Sequence, residues 1–174
     1  EEQLAIKEKQ VRSLLDAVCP EYEFEGILGS PLVQGYRNKM EFSFGDEVKD
    51  GPMSLGMHKR GSFYDVVTTG ECHIVHPDFC KILVCTKEYF EEKKVGFYKK
   101  MQHVGYLRHL LLRRANTTGE ILVNLVTTSQ EEMDLTPLKE ALLALDLEGK
   151  IVGFLHIIND GLSDICLLYT SDAA

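Results

Sequence analysis

Residues 36–44 alternate without a break. Tyr36, Asn38, Met40, Phe42 and Phe44 fall on one side; Arg37, Lys39, Glu41 and Ser43 fall on the other. A period of two is the pattern of a strand with one buried face. A register slip of one residue would drive the charged set into the core, so this pattern fixes the pairing tightly. The flanks extend the expectation. Asp50-Gly51 is a turn signal, residues 54–58 can return as a second strand, and Lys59-Arg60-Gly61-Ser62 makes a tight connection to a third strand over 63–67. The result is an antiparallel meander with Met40, Phe42 and Phe44 on its buried face.

Helical spacing brackets this meander. Residues 1–18 read as an amphipathic helix, with Leu4, Val11, Leu14, Leu15 and Val18 on one stripe and Cys19-Pro20 ending it. It shows no N-cap residue, so it is expected to begin before Glu1, and its charged start is not a secretory signal. Pro77 opens a second helix with Phe79, Ile82, Leu83, Thr86, Tyr89 and Phe90 buried, closed by Gly96. Residues 106–114 and 120–127 form a hairpin about the turn 116–119, Thr136-Pro137 starts a third helix, and 151–158 is a buried strand. The fold class is α+β: an antiparallel sheet, a meander plus a hairpin, with about three packed helices.

A chain of 174 residues can bury a core of this kind without disulfides or metals. Its apolar runs are too short to span a membrane, so no membrane partner is expected. Five cysteines are an odd number without a framework pattern, which favours a reducing, cytoplasmic compartment. The net charge of −8 conceals an asymmetry. Residues 93–114 hold seven Lys or Arg and no Asp or Glu, with Phe97, Tyr98 and Tyr106 interleaved, whereas residues 115–174 hold two basic residues against ten acidic ones. Cations among stacking rings suit a polyanion, and equally a solvated face on a strand pair. Arg37, Lys39, Lys59, Arg60, Arg108, Arg113 and Arg114 are the candidates for one positive surface. Alternation puts Arg113 on the side of its strand opposite Arg108 and Arg114.

Signatures of other chemistries are missing. There is no GxGxxG, Walker loop, HExxH or CxxC, and no pair of acids stands out as general acid and base. His73 and His76 flank Cys72, but no second ligand pair with zinc spacing follows. Cys80 and Cys85 read as packing residues of the second helix. Cys72 differs, because it sits in a loop after Gly70-Glu71 where a bend can present a thiolate.

Several segments match a known family in order. Gly35-Tyr36-Arg37-Asn38-Lys39-Met40-Glu41-Phe42 resembles the "GYRNK" strand of the RNA (uracil-5-)-methyltransferase family. Leu55-Gly56-Met57-His58-Lys59-Arg60-Gly61-Ser62-Phe63 resembles its "GF-x-R-x-G-S" hairpin, and Cys72-His73-Ile74 its "C-x-I" turn. The segments 103–108 and 119–123 resemble the next strand and its hairpin return. The pattern is nearest to the enzymes that make 5-methyluridine in 23S ribosomal RNA.

The resemblance covers about residues 1–165 and implies the central α+β domain of such a methyltransferase, a domain that binds RNA and positions it. It implies S-adenosylmethionine as cofactor and a [4Fe–4S] cluster for the whole protein. The N-terminal barrel, the other cluster cysteines and the Rossmann-like catalytic domain would lie outside this chain, so no catalytic residue is expected in it and it is expected to be inactive alone. Cys72 is the implied fourth cluster ligand, expected near the start of the first helix. The implied partner is ribosomal RNA and the implied state a monomer. A stand-alone RNA-binding α+β module without catalysis is the alternative, and a plain structural domain a third reading. Residues 166–174, with Cys166, resemble no family segment and look like the translated end of a sequencing adapter.

Overall fold

A computed structural model describes residues 2–62 and 64–162. The tail with Cys166, and Phe63 of the expected third strand, lie outside the described residues. The chain forms two compact units that divide after Val33.

The first unit is α1 (Glu2–Val18) and the irregular segment that follows it. The segment folds back on the helix. The Tyr22 hydroxyl donates to the Asp16 carboxylate (2.7 Å), and the Arg12 guanidinium lies 4.0 Å above the centre of the Phe24 ring. No residue of α1 is buried; Leu14 and Val18 of its apolar stripe are 71% and 80% exposed.

The second unit contains β1 (Lys39–Asp46), β2 (Met53–His58), β3 (Val66–Thr68), α2 (Pro77–Glu92), β4 (Leu107–Arg114), β5 (Glu120–Thr127), α3 (Thr136–Leu143) and β6 (Lys150–Ile158). The strands form one sheet in the order β3-β2-β1-β4-β5-β6. All neighbours are antiparallel except β5 and β6, which are parallel and joined through α3. A parallel neighbour needs such a crossover.

The alternation of β1 is realised as expected. Met40, Phe42 and Phe44 are buried against Phe79, Ile82, Leu83 and Phe90 of α2, and Leu138 and Leu142 of α3 pack into the same cluster. Burial of each such side chain contributes about 1.5–3 kcal/mol. The opposite face carries a smaller apolar patch of Leu111, Val126 and Ile157. α2 begins as its sequence indicates, with Pro77 in the first turn and the His76 side chain accepting from the Asp78 amide (3.2 Å). Asp78 is buried and accepts from the amides of Glu148 (3.0 Å) and Gly149 (2.8 Å), which ties the start of α2 to the entry of β6.

Two glycines bring β3 close over the other strands. A Cβ on Gly56 would lie 2.0 Å from the Val67 carbonyl oxygen, and one on Gly45 would lie 2.6 Å from Val66 Cγ2. Gly45 shares its face with Ser43, so the β2–β3 arm bends over the side of the sheet away from α2.

Candidate nucleic-acid interface

That bend makes one wall of a cleft. His58, Tyr64 and Asp65 come from the β2–β3 arm; Ser43, Asp46, Lys49 and Asp50 come from the end of β1 and its turn. The third wall is the 97–102 loop together with Arg108 and His109. The cavity measures about 360 Å³, within the range of small-ligand sites.

Its walls are cross-braced. The Lys99 ammonium lies 2.7 Å from the Asp50 carboxylate, which holds Asp50 below and Lys99 above their ordinary pKa ranges. The Tyr64 hydroxyl donates to Met101 Sδ (3.5 Å). The Asp50 amide donates to one oxygen of Asp46 (2.8 Å). Gly105, at φ +122°, lets the 97–106 loop close on itself, because a Cβ there would stand 2.0 Å from the Phe97 carbonyl oxygen.

A row of side chains leads from the cleft along the same face. Ser43 stands opposite His109, Glu41 opposite Leu111 and Lys39 opposite Arg113. At about 3.4 Å per residue the Lys39–Arg113 pair lies about 14 Å from the Ser43–His109 pair. Arg37, just before, is exposed. Its amide donates to the Ile74 carbonyl (2.9 Å), and the Gly35 amide donates to that of His73 (2.9 Å). The first motif segment therefore lies alongside the turn that follows Cys72. Lys59 and Arg60 are exposed at the tip of the β2–β3 arm.

Two of the seven expected surface cations are placed differently. Arg108 is only 3% exposed. Its guanidinium donates to the carbonyls of Asn159 and Gly161 (2.7 Å each) and stacks 4.6 Å from the Tyr98 ring centre. It is a structural brace of the cleft wall. A register irregularity between Leu107 and His109 breaks the period of two, so counting by alternation misplaces it. Arg114 lies on the opposite side of β4 from Arg113, 3.6 Å from Glu148 with its side chain 14% exposed. Arg113, expected to be the one set apart, is the one that shares a face with Lys39. The cleft residues Tyr64, Asp65, Asp46 and Lys49 were not among the sequence candidates.

Cys72 is half-buried against the core, and its carbonyl accepts from the Cys80 thiol (3.7 Å). Burial raises the pKa of Cys80 and of Cys85, as befits packing residues. A [4Fe–4S] cluster is commonly held by four thiolates. Among the described residues no group of three His, Cys, Asp or Glu is arranged to hold a metal, so these residues do not form a cluster site by themselves. No helix among them is long and apolar enough to cross a membrane.

Comparison with known proteins then gives the kinship. No family model matches the chain. An uncharacterized RNA methyltransferase of Clostridium acetobutylicum is 52% identical over 166 residues, covering 95% of this chain and 36% of that protein. The tRNA (uracil(54)-C(5))-methyltransferase of Pyrococcus furiosus is 32% identical over 134 residues, 77% of this chain and 30% of that protein. The chain belongs to the RNA (uracil-5-)-methyltransferase family.

The shared fold is seen in the crystal structure of the Pyrococcus abyssi tRNA (uracil-54, C5)-methyltransferase in complex with S-adenosyl-L-homocysteine. It superposes with a TM-score of 0.68 at 24% identity, covering 94% of this chain and 35% of that one. This methyltransferase-family chain spans about a third of the length of the relatives it matches.

Proposed function

We propose that this chain is the RNA-binding and substrate-positioning part of an S-adenosylmethionine-dependent RNA (uracil-C5)-methyltransferase, with 23S ribosomal RNA as its substrate. The cofactor supplies the methyl group. The residues described here bind and orient RNA, and none of them is assigned a catalytic role. One observation carries the reading: on a chain 52% identical to an RNA methyltransferase, a cleft lined by tyrosines and lysines shares a sheet face with the half-exposed cations Lys39 and Arg113. Rings stack on unpaired bases and cations meet phosphates. Arg37, Lys39, Lys59, Arg60 and Arg113 are the proposed phosphate contacts, and Tyr64 and Tyr98 the proposed stacking platforms.

The test is methyl transfer by the full-length protein from labelled S-adenosylmethionine to 23S rRNA and, separately, to tRNA, with 5-methyluridine identified after nuclease digestion. Label in rRNA supports the proposal. Label in tRNA alone moves the substrate to that of the named Pyrococcus relatives, and label in neither overturns the reading. The alternative, an RNA-binding module without catalysis, is favoured by one fact: the described residues that line the cleft all lie within 43–109. RNA binding together with no transfer by the full-length protein would select it.

Cys72 is proposed as one ligand of a [4Fe–4S] cluster in the full-length protein, with the other ligands from elsewhere in that chain. Iron analysis of full-length Cys72→Ser decides this, since undiminished iron would dismiss the assignment. The four described cysteines are free thiols, in keeping with a cytoplasmic protein, proposed to be monomeric.

A further inference from the structure

The cleft is not uniformly cationic, and the exceptions are informative. Among the described residues three carboxylates line it: Asp46, Asp50 and Asp65. A site for phosphate alone has no use for them. Asp50 is neutralised by Lys99 at 2.7 Å. One oxygen of Asp46 is taken by the Asp50 amide, which leaves the other. Asp65 is half-buried, and its carboxylate takes no hydrogen bond or ion pair from the described residues. Its oxygens face the cleft without being sealed from solvent, so a ligand that brings N–H donors can meet them in charge-assisted hydrogen bonds. Beside Asp65 stands Tyr64, 57% exposed, and the Phe97 and Tyr98 rings line the facing loop. Lys49, Lys99 and Lys100 bring positive charge to the same cavity.

These groups sort by chemistry. Rings call for a flat heteroaromatic, the carboxylates for N–H donors on its edge, and the lysines for a phosphate attached to it. Guanine, adenine and cytosine all carry an amino group on the Watson–Crick edge. Uracil offers that edge one N–H flanked by two carbonyl oxygens, so its single hydrogen bond to a carboxylate is opposed by the oxygens on either side. Carboxylate side chains accept from base amino groups, and a well-made pair of this kind discriminates strongly between bases.

We propose that the cleft between the β2–β3 arm and the 97–102 loop holds one unstacked, amino-bearing nucleotide of the RNA, with Asp65 reading its edge and Tyr64 stacking on its face. The occupant is therefore not the uridine to be methylated but another nucleotide of the same RNA. The cleft works as a register pin: seating a base there fixes which uridine is presented for reaction. This proposal rests on the RNA-binding reading above.

The experiment is fluorescence anisotropy of the 174-residue chain with labelled oligouridylate nonamers, all-U or carrying a single central G, A or C. The expected result is at least about fivefold tighter binding of one or more amino-bearing nonamers than of all-U. Asp65→Asn, nearly isosteric, should abolish that preference, so that the amino-bearing nonamers and all-U bind with equal affinity. Tyr64→Leu should weaken binding of the preferred nonamer more than of all-U. Equal binding of all four nonamers, or a preference that survives in Asp65→Asn, would overturn the base-reading cleft and leave the RNA-binding reading standing. No binding of any nonamer at low salt would overturn both.

Discussion

Lys39 and Arg113 are direct partners across the β1–β4 ladder, on the face of the sheet that runs into the cleft. Both are half-exposed, and exposed Arg37 precedes them. Lys39→Ala and Arg113→Ala should each weaken RNA binding about equally for every sequence. Each should also reduce the slope of log affinity against log salt by about one, the mark of a lost phosphate contact. Filter binding over a salt series checks both, and an unchanged slope would count against the residue concerned.

Buried Asp78 joins the start of α2 to the entry of β6 through two backbone amides. Asp78→Ala leaves both donors without their acceptor in a packed region. We expect a loss of about 1–3 kcal/mol in urea denaturation, because two part-buried amides lose a charged acceptor. RNA affinity measured on the folded protein should not change, because the residue is on the helix side of the sheet.

Gly105→Ala tests how the 97–106 loop is built. Its φ of +122° and the Phe97 carbonyl oxygen 2.0 Å from any added Cβ leave no room for a methyl group. The variant should lose at least about 2 kcal/mol of stability. It should also lose RNA affinity under conditions where it remains folded, since the loop that moves is a wall of the cleft.

His156 gives a pH dependence with a definite sign. Its imidazole shares a 2.8 Å hydrogen bond with Thr127 Oγ1, and burial lowers its pKa from the ordinary 6.5. The unfolded chain therefore takes up the proton first as pH falls. The contribution of His156 to stability is complete above pH 6.5 and declines from there down to the folded value. Thermal melts between pH 7.5 and 5.5 should show a fall in Tm that is smaller in His156→Gln. Parallel curves would mean that the imidazole titrates alike in both states.

How much of this could be read from the chain depends on the range of the interaction. β1 was legible because one face of it is buried over its whole length, so Met40, Phe42 and Phe44 announce the face on their own. The start of α2 was legible because Pro77 acts within its own first turn. Arg108 was not, since its environment is decided by a strand irregularity at Leu107/His109 and by the Asn159 and Gly161 carbonyls some fifty residues away. Arg114 failed for a related reason: its neighbour Glu148 comes from beyond α3. The basic run 93–114 supplies one wall of the cleft, but what completes it, Tyr64 and Asp65, lies on an arm folded over by Gly45 and Gly56. No local pattern in the sequence reports that fold-over.

The arrangement of the cleft also sets when it can exist. Its walls come from residues 43–65 and 97–109, segments that meet only when β1 pairs with β4 across the whole of α2. The Asp50–Lys99 brace spans 49 residues. Contacts of such long sequence separation are slow to form, because the loop must be closed before they repay its entropy. During synthesis the first wall emerges well before the second, so a nascent chain carries no formed cleft until β4 is available. Base recognition by the proposed cleft would thereby be confined to chains that have completed their sheet.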